Sequence, residues 1–200
     1  MKFSNIEVKQ LLLAWLLVST GFAIAQAGGV LSIMQEGLLY LILMLGASLA
    51  TVGIGFVLHE IGHKFVAQRF GCYAEFRYDM QMLLASLVMS LFGFFFVAPG
   101  AVMIHGNLTK NKYGLVSLAG PLTNLLLAII FLSSGLILND GLISSILFFG
   151  FNINSWIALF NMIPIMNFDG AKIFAWNKVV YIGTVFAAGI LMILSGYLQA

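Results

Sequence analysis

Residues 37–64 read GLLYLILMLGASLATVGIGFVLHEIGHK, an uncharged run from Gly37 to Leu58 that passes without interruption into His59-Glu60-Ile61-Gly62-His63. The uncharged part alone exceeds the roughly 20 residues a helix needs to cross about 30 Å of hydrocarbon. The stretch therefore predicts a transmembrane helix that continues through His63 into Lys64. Side chains four residues apart share one face of a helix, so His59 and His63 project together with Glu60 beside them. Two imidazoles at that spacing can share one metal ion. A single histidine in an apolar helix is more simply a packed, hydrogen-bonded residue. Two histidines and a glutamate reverse that reading, because ionisable groups in a membrane span are costly and default to function.

The surrounding sequence is also built for lipid. Of 200 residues, 62% are hydrophobic and 8% charged, against roughly 25% charged in an ordinary soluble domain. Uncharged runs extend over Leu11 to Met34, Gly37 to Leu58, Met80 to Thr109, Tyr113 to Asn139, Gly141 to Phe168 and Val179 to Ala200. The most water-soluble stretch, Lys64 to Asp79, is too short for a separate domain. The expectation is an all-α polytopic membrane protein: one membrane-embedded domain over residues 1–200, with a catalytic core at about 37–170. The net charge of +2 is too small to imply a nucleic-acid partner. Cys72, the only cysteine, excludes an internal disulfide and a thiolate-rich zinc site. In the first 27 residues, Lys2 and Lys9 precede an apolar stretch, and Ala23-Ile24-Ala25 resembles a signal-peptidase site. The run continues to Met34, longer than a typical signal segment, so a retained first helix is expected.

The basic residues test the number of crossings. Lys2, Lys9, Lys64, Arg69, Arg77, Lys110, Lys112, Lys172 and Lys178 all fall on one side only if Met80 to Thr109 enters and returns on that side. Basic loops favour the cytoplasm. Leu83 to Val97 would be only about 22 Å long as a helix and is followed by the breaker pair Pro99-Gly100. Ala101-Val102-Met103-Ile104 is β-prone. Five spanning helices are expected, with the N-terminus inside, plus a re-entrant, β-containing segment over residues 80–109.

A catalytic zinc site needs a third protein ligand and an open position for water. The candidates are His105, Asp79, Asp140 and Asp169. Asp140 falls on the opposite membrane face. Asp79 and His105 flank the re-entrant segment and are not excluded by topology. Asp169 emerges on the face of His63 if residues 80–109 return.

Asn161-Met162-Ile163-Pro164-Ile165-Met166-Asn167-Phe168-Asp169-Gly170 resembles the second signature of the site-2 protease family, Asn-x-x-Pro-x-x-x-x-Asp-Gly. Gly120-Pro121-Leu122-Thr123-Asn124 resembles its Gly-x-x-x-Asn element. With the histidine motif, three motifs stand in the family's order over residues 37–170. The resemblance implies an intramembrane zinc metalloprotease of minimal form, with no room in these loops for a PDZ domain. It makes Asp169 the third ligand beside His59 and His63 on one Zn²⁺, and transmembrane proteins the substrates. Glu60 would then be the general base, and Asn161 and Asn124 candidate donors to the substrate backbone or oxyanion. Pro164 would break its helix and let Asp169 turn back, while Asn152, Asn154 and the Phe92 to Phe96 cluster are read as structural. The strand-like Ala101 to Ile104 would hold an unwound substrate by β-augmentation. The competing functions are a membrane-anchored metalloprotease acting on soluble peptides at the cytoplasmic face, and a non-catalytic zinc-binding membrane protein. The expected location is the plasma membrane, with the site towards the cytoplasm.

Overall fold

The computed structural model of the protein describes residues 1–95, 100–138, 140–165 and 167–199. They form two compact units, one of residues 2–57 and 75–103, the other of residues 1, 58–74 and 104–200.

In the first unit, α1 (Asn5–Gln26) begins at Ser4, whose hydroxyl accepts the Glu7 N–H at 3.2 Å. The single helix expected over Leu11 to Met34 is in fact two, because Gly28 and Gly29 have φ of 85° and 80°. A right-handed helix does not pass through left-handed residues, and α2 (Gly29–Glu36) starts afresh. Val30 N–H donates to Leu91 O at 2.9 Å. Next, α3 (Leu38–Ser48) runs into a π-helical turn, Leu49–Gly53, and on into α4 (Ile54–Arg69). The Leu49 carbonyl in that turn accepts the Trp15 indole N–H at 3.1 Å. Any side chain at Gly53 would place its Cβ 2.6 Å from the Trp15 ring.

Two strands, β1 (Tyr73–Tyr78) and β2 (Gly100–His105), pair with each other. At one end Gly106 lies against Cys72, and at the other Gly100 lies against Tyr78. The strands are therefore antiparallel, and the chain between them leaves and returns to one place. Within that excursion α5 (Met80–Ser90) has 11 residues, about 16 Å of helix, too short to cross. The paired strands thus bring the chain back beside Tyr78 at Gly100, in keeping with the return expected for residues 80–109. The helix starts earlier and stops sooner than Leu83 to Val97, and Phe96 and Pro99 lie outside the described residues. The strand at Ala101 to Ile104 is present as β2. Its partner β1 was not anticipated, and its burial does not alternate, since Ala74, Glu75 and Phe76 are all buried. Phe76 N–H donates to the buried Glu7 carboxylate at 2.9 Å.

The second unit holds α6 (Lys110–Leu138), α7 (Gly141–Asn161), α8 (Asp169–Trp176) and α9 (Lys178–Gln199), together with α4 from residue 58. Small residues set the close approach of α6 and α7: a Cβ at Gly150 would sit 2.8 Å from the Phe131 ring, and the Ser144 hydroxyl donates to Gly135 O at 3.2 Å. Leu125, Ala158 and Ala188 form a common core of α6, α7 and α9, and Asn152 donates to Ser195 Oγ at 3.0 Å. Pro164 follows the end of α7, as expected of a helix breaker.

Across the described residues, 5 helices are long and apolar enough to cross a membrane: Asn5–Gln26, Leu38–Arg69, Lys110–Leu138, Gly141–Asn161 and Lys178–Leu198. Their large apolar side chains are extensively exposed, including Leu126, Ile129, Ile137, Ile182 and Phe186. Such surfaces are at home in hydrocarbon and not in water. The protein is an all-α polytopic membrane protein with one small sheet. In a Cys72→Ala background, cysteines introduced at Arg69 and Asn107 are expected to react with an impermeant maleimide from one side of the membrane, and a cysteine at Asp140 from the other. Labelling of positions 69 and 107 from opposite sides would refute the return of residues 80–109.

Candidate metal centre

His59, Glu60 and His63 lie on α4 and are all buried. The helix runs on to Arg69, past the expected Lys64. Lys64 is 1% exposed, and its ammonium donates to Ala74 O at 2.9 Å, an acceptor it shares with Gln68 Nε2 at 3.3 Å. Asp169 is the first residue of α8. A tight loop brings it there: α7 stops at Asn161, and Gly170 packs so closely on Met162 that a Cβ would lie 2.7 Å from the Met162 Cα. No residue larger than glycine fits at position 170 without moving that loop. The spacing of the Asn161 to Gly170 motif is thus the length of a turn that closes on itself.

Three ligand atoms converge. His59 Nε2 and His63 Nε2 are 3.0 Å apart, and Asp169 Oδ2 lies 3.2 Å from the first and 3.0 Å from the second. Tetrahedral coordination with zinc to nitrogen or oxygen distances near 2.0–2.1 Å separates neighbouring ligand atoms by about 3.3 Å. The donor set fits that requirement within a few tenths of an ångström. Burial works against the charge of Asp169, but His63 and His59 beside it hold its carboxyl far below the usual carboxylate range. Its second oxygen, Oδ1, faces Lys172 Nζ at 3.5 Å.

The distal nitrogens are also occupied. His63 Nδ1 donates to Val116 O at 2.8 Å, which leaves the Nε2 lone pair of a neutral ring for a metal. His59 Nδ1 meets Asn124 Oδ1 at 2.6 Å. Between these contacts, Gly120 lies against both rings: a Cβ there would sit 2.5 Å from His59 Nε2 and closer still to His63 Nε2. Val116, Gly120 and Asn124 are spaced by four along α6, so they share one face. That face meets the His59 and His63 face in antiparallel register, with Gly62 of α4 close to Ala119 and Thr123.

Of the four candidates for third ligand, Asp169 joins the histidines, and among the described residues these three are the group able to hold a metal. His105 is exposed at the end of β2, with its ring beside Tyr73. Asp79 caps α5, accepting from Met82 N–H at 3.1 Å, and Asp140 is exposed ahead of α7. Asn124 lies behind His59, with Nδ2 donating to Asn154 Oδ1 at 2.9 Å. Asn161, half-buried at the end of α7, donates to its own helix at Ile157 O, 2.9 Å away. Sequence reasoning missed the steric role of Gly120 and the involvement of Asn154. The first was signalled by the four-residue spacing of Gly120 and Asn124, which matches that of the histidines.

The chain is 44% identical over 143 residues to "Putative zinc metalloprotease MJ0611" of Methanocaldococcus jannaschii, a match covering 70% of this chain and 75% of that protein. It is 32% identical over 139 residues to "Putative zinc metalloprotease Rip2" of Mycobacterium tuberculosis, covering 58% of this chain and 51% of the relative. Neither a family model nor a solved structure matches the chain.

A methyl group at position 120 must push the two imidazoles apart, and overpacking of that kind costs about 1–3 kcal/mol. Gly120→Ala is therefore expected to weaken zinc binding about tenfold or more, at 1.4 kcal/mol per decade. Chelator competition on the purified protein measures this, and unchanged affinity would show that the rings do not need this space.

Proposed function

Given that this chain belongs to the site-2 protease family of membrane zinc metalloproteases, with zinc as its cofactor, we propose that it hydrolyses peptide bonds in or next to transmembrane segments of other membrane proteins. The observation that carries this reading is the burial of His59, His63 and Asp169 around one point, with both histidines in the C-terminal part of a 32-residue apolar helix, Leu38–Arg69. In this reading the three side chains hold one zinc ion, and Glu60 works beside them. Zinc, when bound, supplies a water acidified towards a pKa of about 7 and polarises the carbonyl under attack. Glu60 is the residue of α4 that receives the proton of the attacking water and returns it to the leaving amine. Asn161, half-buried where α7 ends, is the candidate donor to the substrate backbone or the developing oxyanion through the amide hydrogen that Ile157 O does not take. Asn124 has a weaker claim, since its oxygen faces His59 and its nitrogen faces Asn154.

The substrate's own helix hides its peptide bonds, so a stretch must unwind before attack. Strand β2 offers a partner for it, since an extended segment can add to a sheet edge through main-chain hydrogen bonds. We further propose that the site opens towards the cytoplasm of the plasma membrane, on the side of the basic loops, and that cleavage belongs to regulated intramembrane proteolysis. Lipid bilayer and transmembrane substrates are the partners in this reading.

A detergent-solubilised transmembrane substrate incubated with purified protein is expected to be cut within its apolar run, as read by mass spectrometry of the products. Cuts confined to soluble flanking peptides would instead favour the surface protease. Glu60→Gln is expected to keep its zinc and lose about 10²- to 10⁴-fold in cleavage rate, the usual contribution of a general base. Full activity in that variant would overturn the mechanism. Ala101→Pro or Met103→Asp in β2 is expected to impair cleavage with zinc content intact, and undiminished cleavage would remove the strand from substrate binding.

A further inference from the structure

Asn154 sits within α7, touches neither histidine, and is 0% exposed. Both ends of its amide are engaged: Nδ2 donates to Gly150 O at 2.9 Å, and Oδ1 accepts from Asn124 Nδ2 at 2.9 Å. Asn124 Oδ1 in turn meets His59 Nδ1 at 2.6 Å.

The polarity of this chain is set at its far end. A peptide carbonyl can only accept, so Asn154 must turn Nδ2 towards Gly150 and Oδ1 towards Asn124. Asn124 must then offer Nδ2 to Asn154 and Oδ1 to His59. An oxygen in that position requires the proton on His59 Nδ1, and a neutral imidazole protonated there carries its lone pair on Nε2. Nε2 is the atom that meets His63 and Asp169. The reversed chain would bring two oxygens to 2.9 Å at Gly150, a buried clash of acceptors.

His63 needs no such device, because the backbone carbonyl of Val116 fixes its tautomer directly. His59 depends on a side-chain amide that can rotate. A rotated Asn124 would present N–H to His59 Nδ1, drive the ring proton to Nε2 and block the ligand lone pair. We propose that Asn154 is a positioning residue for the metal centre, holding Asn124 in the one orientation that presents the His59 Nε2 lone pair to zinc. The proposal rests on the reading of His59 as a zinc ligand.

The test uses the full-length protein in a Glu60→Gln background, so that the readout is zinc affinity by chelator competition and not turnover. Asn154→Leu is expected to weaken zinc binding by about 10- to 100-fold, the usual effect of losing an outer partner of a ligand. The melting temperature of the zinc-free protein should move less than the increment that zinc adds. Asn154→Asp is expected to restore affinity, since a protonated carboxyl can donate to Gly150 O and accept from Asn124. Asn124→Asp added to Asn154→Leu should also restore it, because a carboxylate accepts in either orientation. If Asn154→Leu does not fold, Asn154→Ser, which lacks the amide, is expected to show the same loss. Wild-type affinity in the Leu or Ser variant overturns the proposal, as does an equal loss in Asn154→Asp or failure of the double variant to recover. Retention of zinc by His59→Ala would instead overturn the ligand reading itself, so the two failures are distinguishable.

Discussion

Two imidazole nitrogens and a carboxylate oxygen held 3.0 to 3.2 Å apart turn electron pairs towards one another, and a cation between them converts that repulsion into attraction. Holding this arrangement makes specific demands on the chain. α7 must end where it does, because the return from Asn161 to Asp169 spans only a short loop sealed by Gly170 against Met162. Position 120 must lack a side chain, because the space belongs to the rings. Lys172 lies beside the oxygen of Asp169 that does not face the histidines, so the two oxygens of one carboxylate have different partners. Each of these features would be puzzling alone and follows simply from the need to keep three donors together.

Burial imposes the second constraint, since a polar backbone group cut off from water must find its partner within the protein. The non-helical parts of the chain meet it with specific side chains. Within one unit the carbonyl of Ala74 takes the ammonium of Lys64 and the amide of Gln68. Within the other, the Phe76 N–H finds Glu7, and the carbonyl of Leu49 in the π-helical turn finds the indole of Trp15. A buried lysine or glutamate is costly unless it is hydrogen-bonded, and the burial of these two is explained by the strand they satisfy. The pairing of β1 with β2 then brings the two ends of the excursion between them back together.

The legible parts of the chain were those governed by one periodicity or by one chemical type. Long uncharged runs gave the spans, the four-residue spacing of His59 and His63 gave their common face, and the pooling of basic residues gave the return of residues 80–109. Asp169 became legible through the family's second motif and the side of the membrane on which it falls. What escaped depends on contacts between distant segments. The break at Gly28-Gly29 sits inside a run of uniform hydrophobicity, where composition does not distinguish one helix from two. Strand β1 lies in Lys64 to Asp79, the stretch that reads as most water-soluble, although two of its charged side chains, Glu75 and Arg77, pair with each other. Asn154 resembles any polar residue that joins helices until Asn124 is seen between it and His59.

The face of α6 that carries Val116, Gly120 and Asn124 explains why one motif partners another at the same spacing. His59 and His63 are one helical turn apart, so a neighbouring antiparallel helix meets them at positions that are also about one turn apart. One position must leave room for both rings where their ligand nitrogens converge, and only glycine does. One turn further along, opposite His59, the neighbour must supply an acceptor for Nδ1, and an asparagine oxygen does so. One turn back, opposite His63, a main-chain carbonyl suffices, and it places no demand on the residue's side chain. The Gly-x-x-x-Asn element is therefore the complement of the two histidines, read on the opposing helix. Its asymmetry, a backbone acceptor for one ring and an amide for the other, makes His59 the ligand whose orientation depends on a third helix.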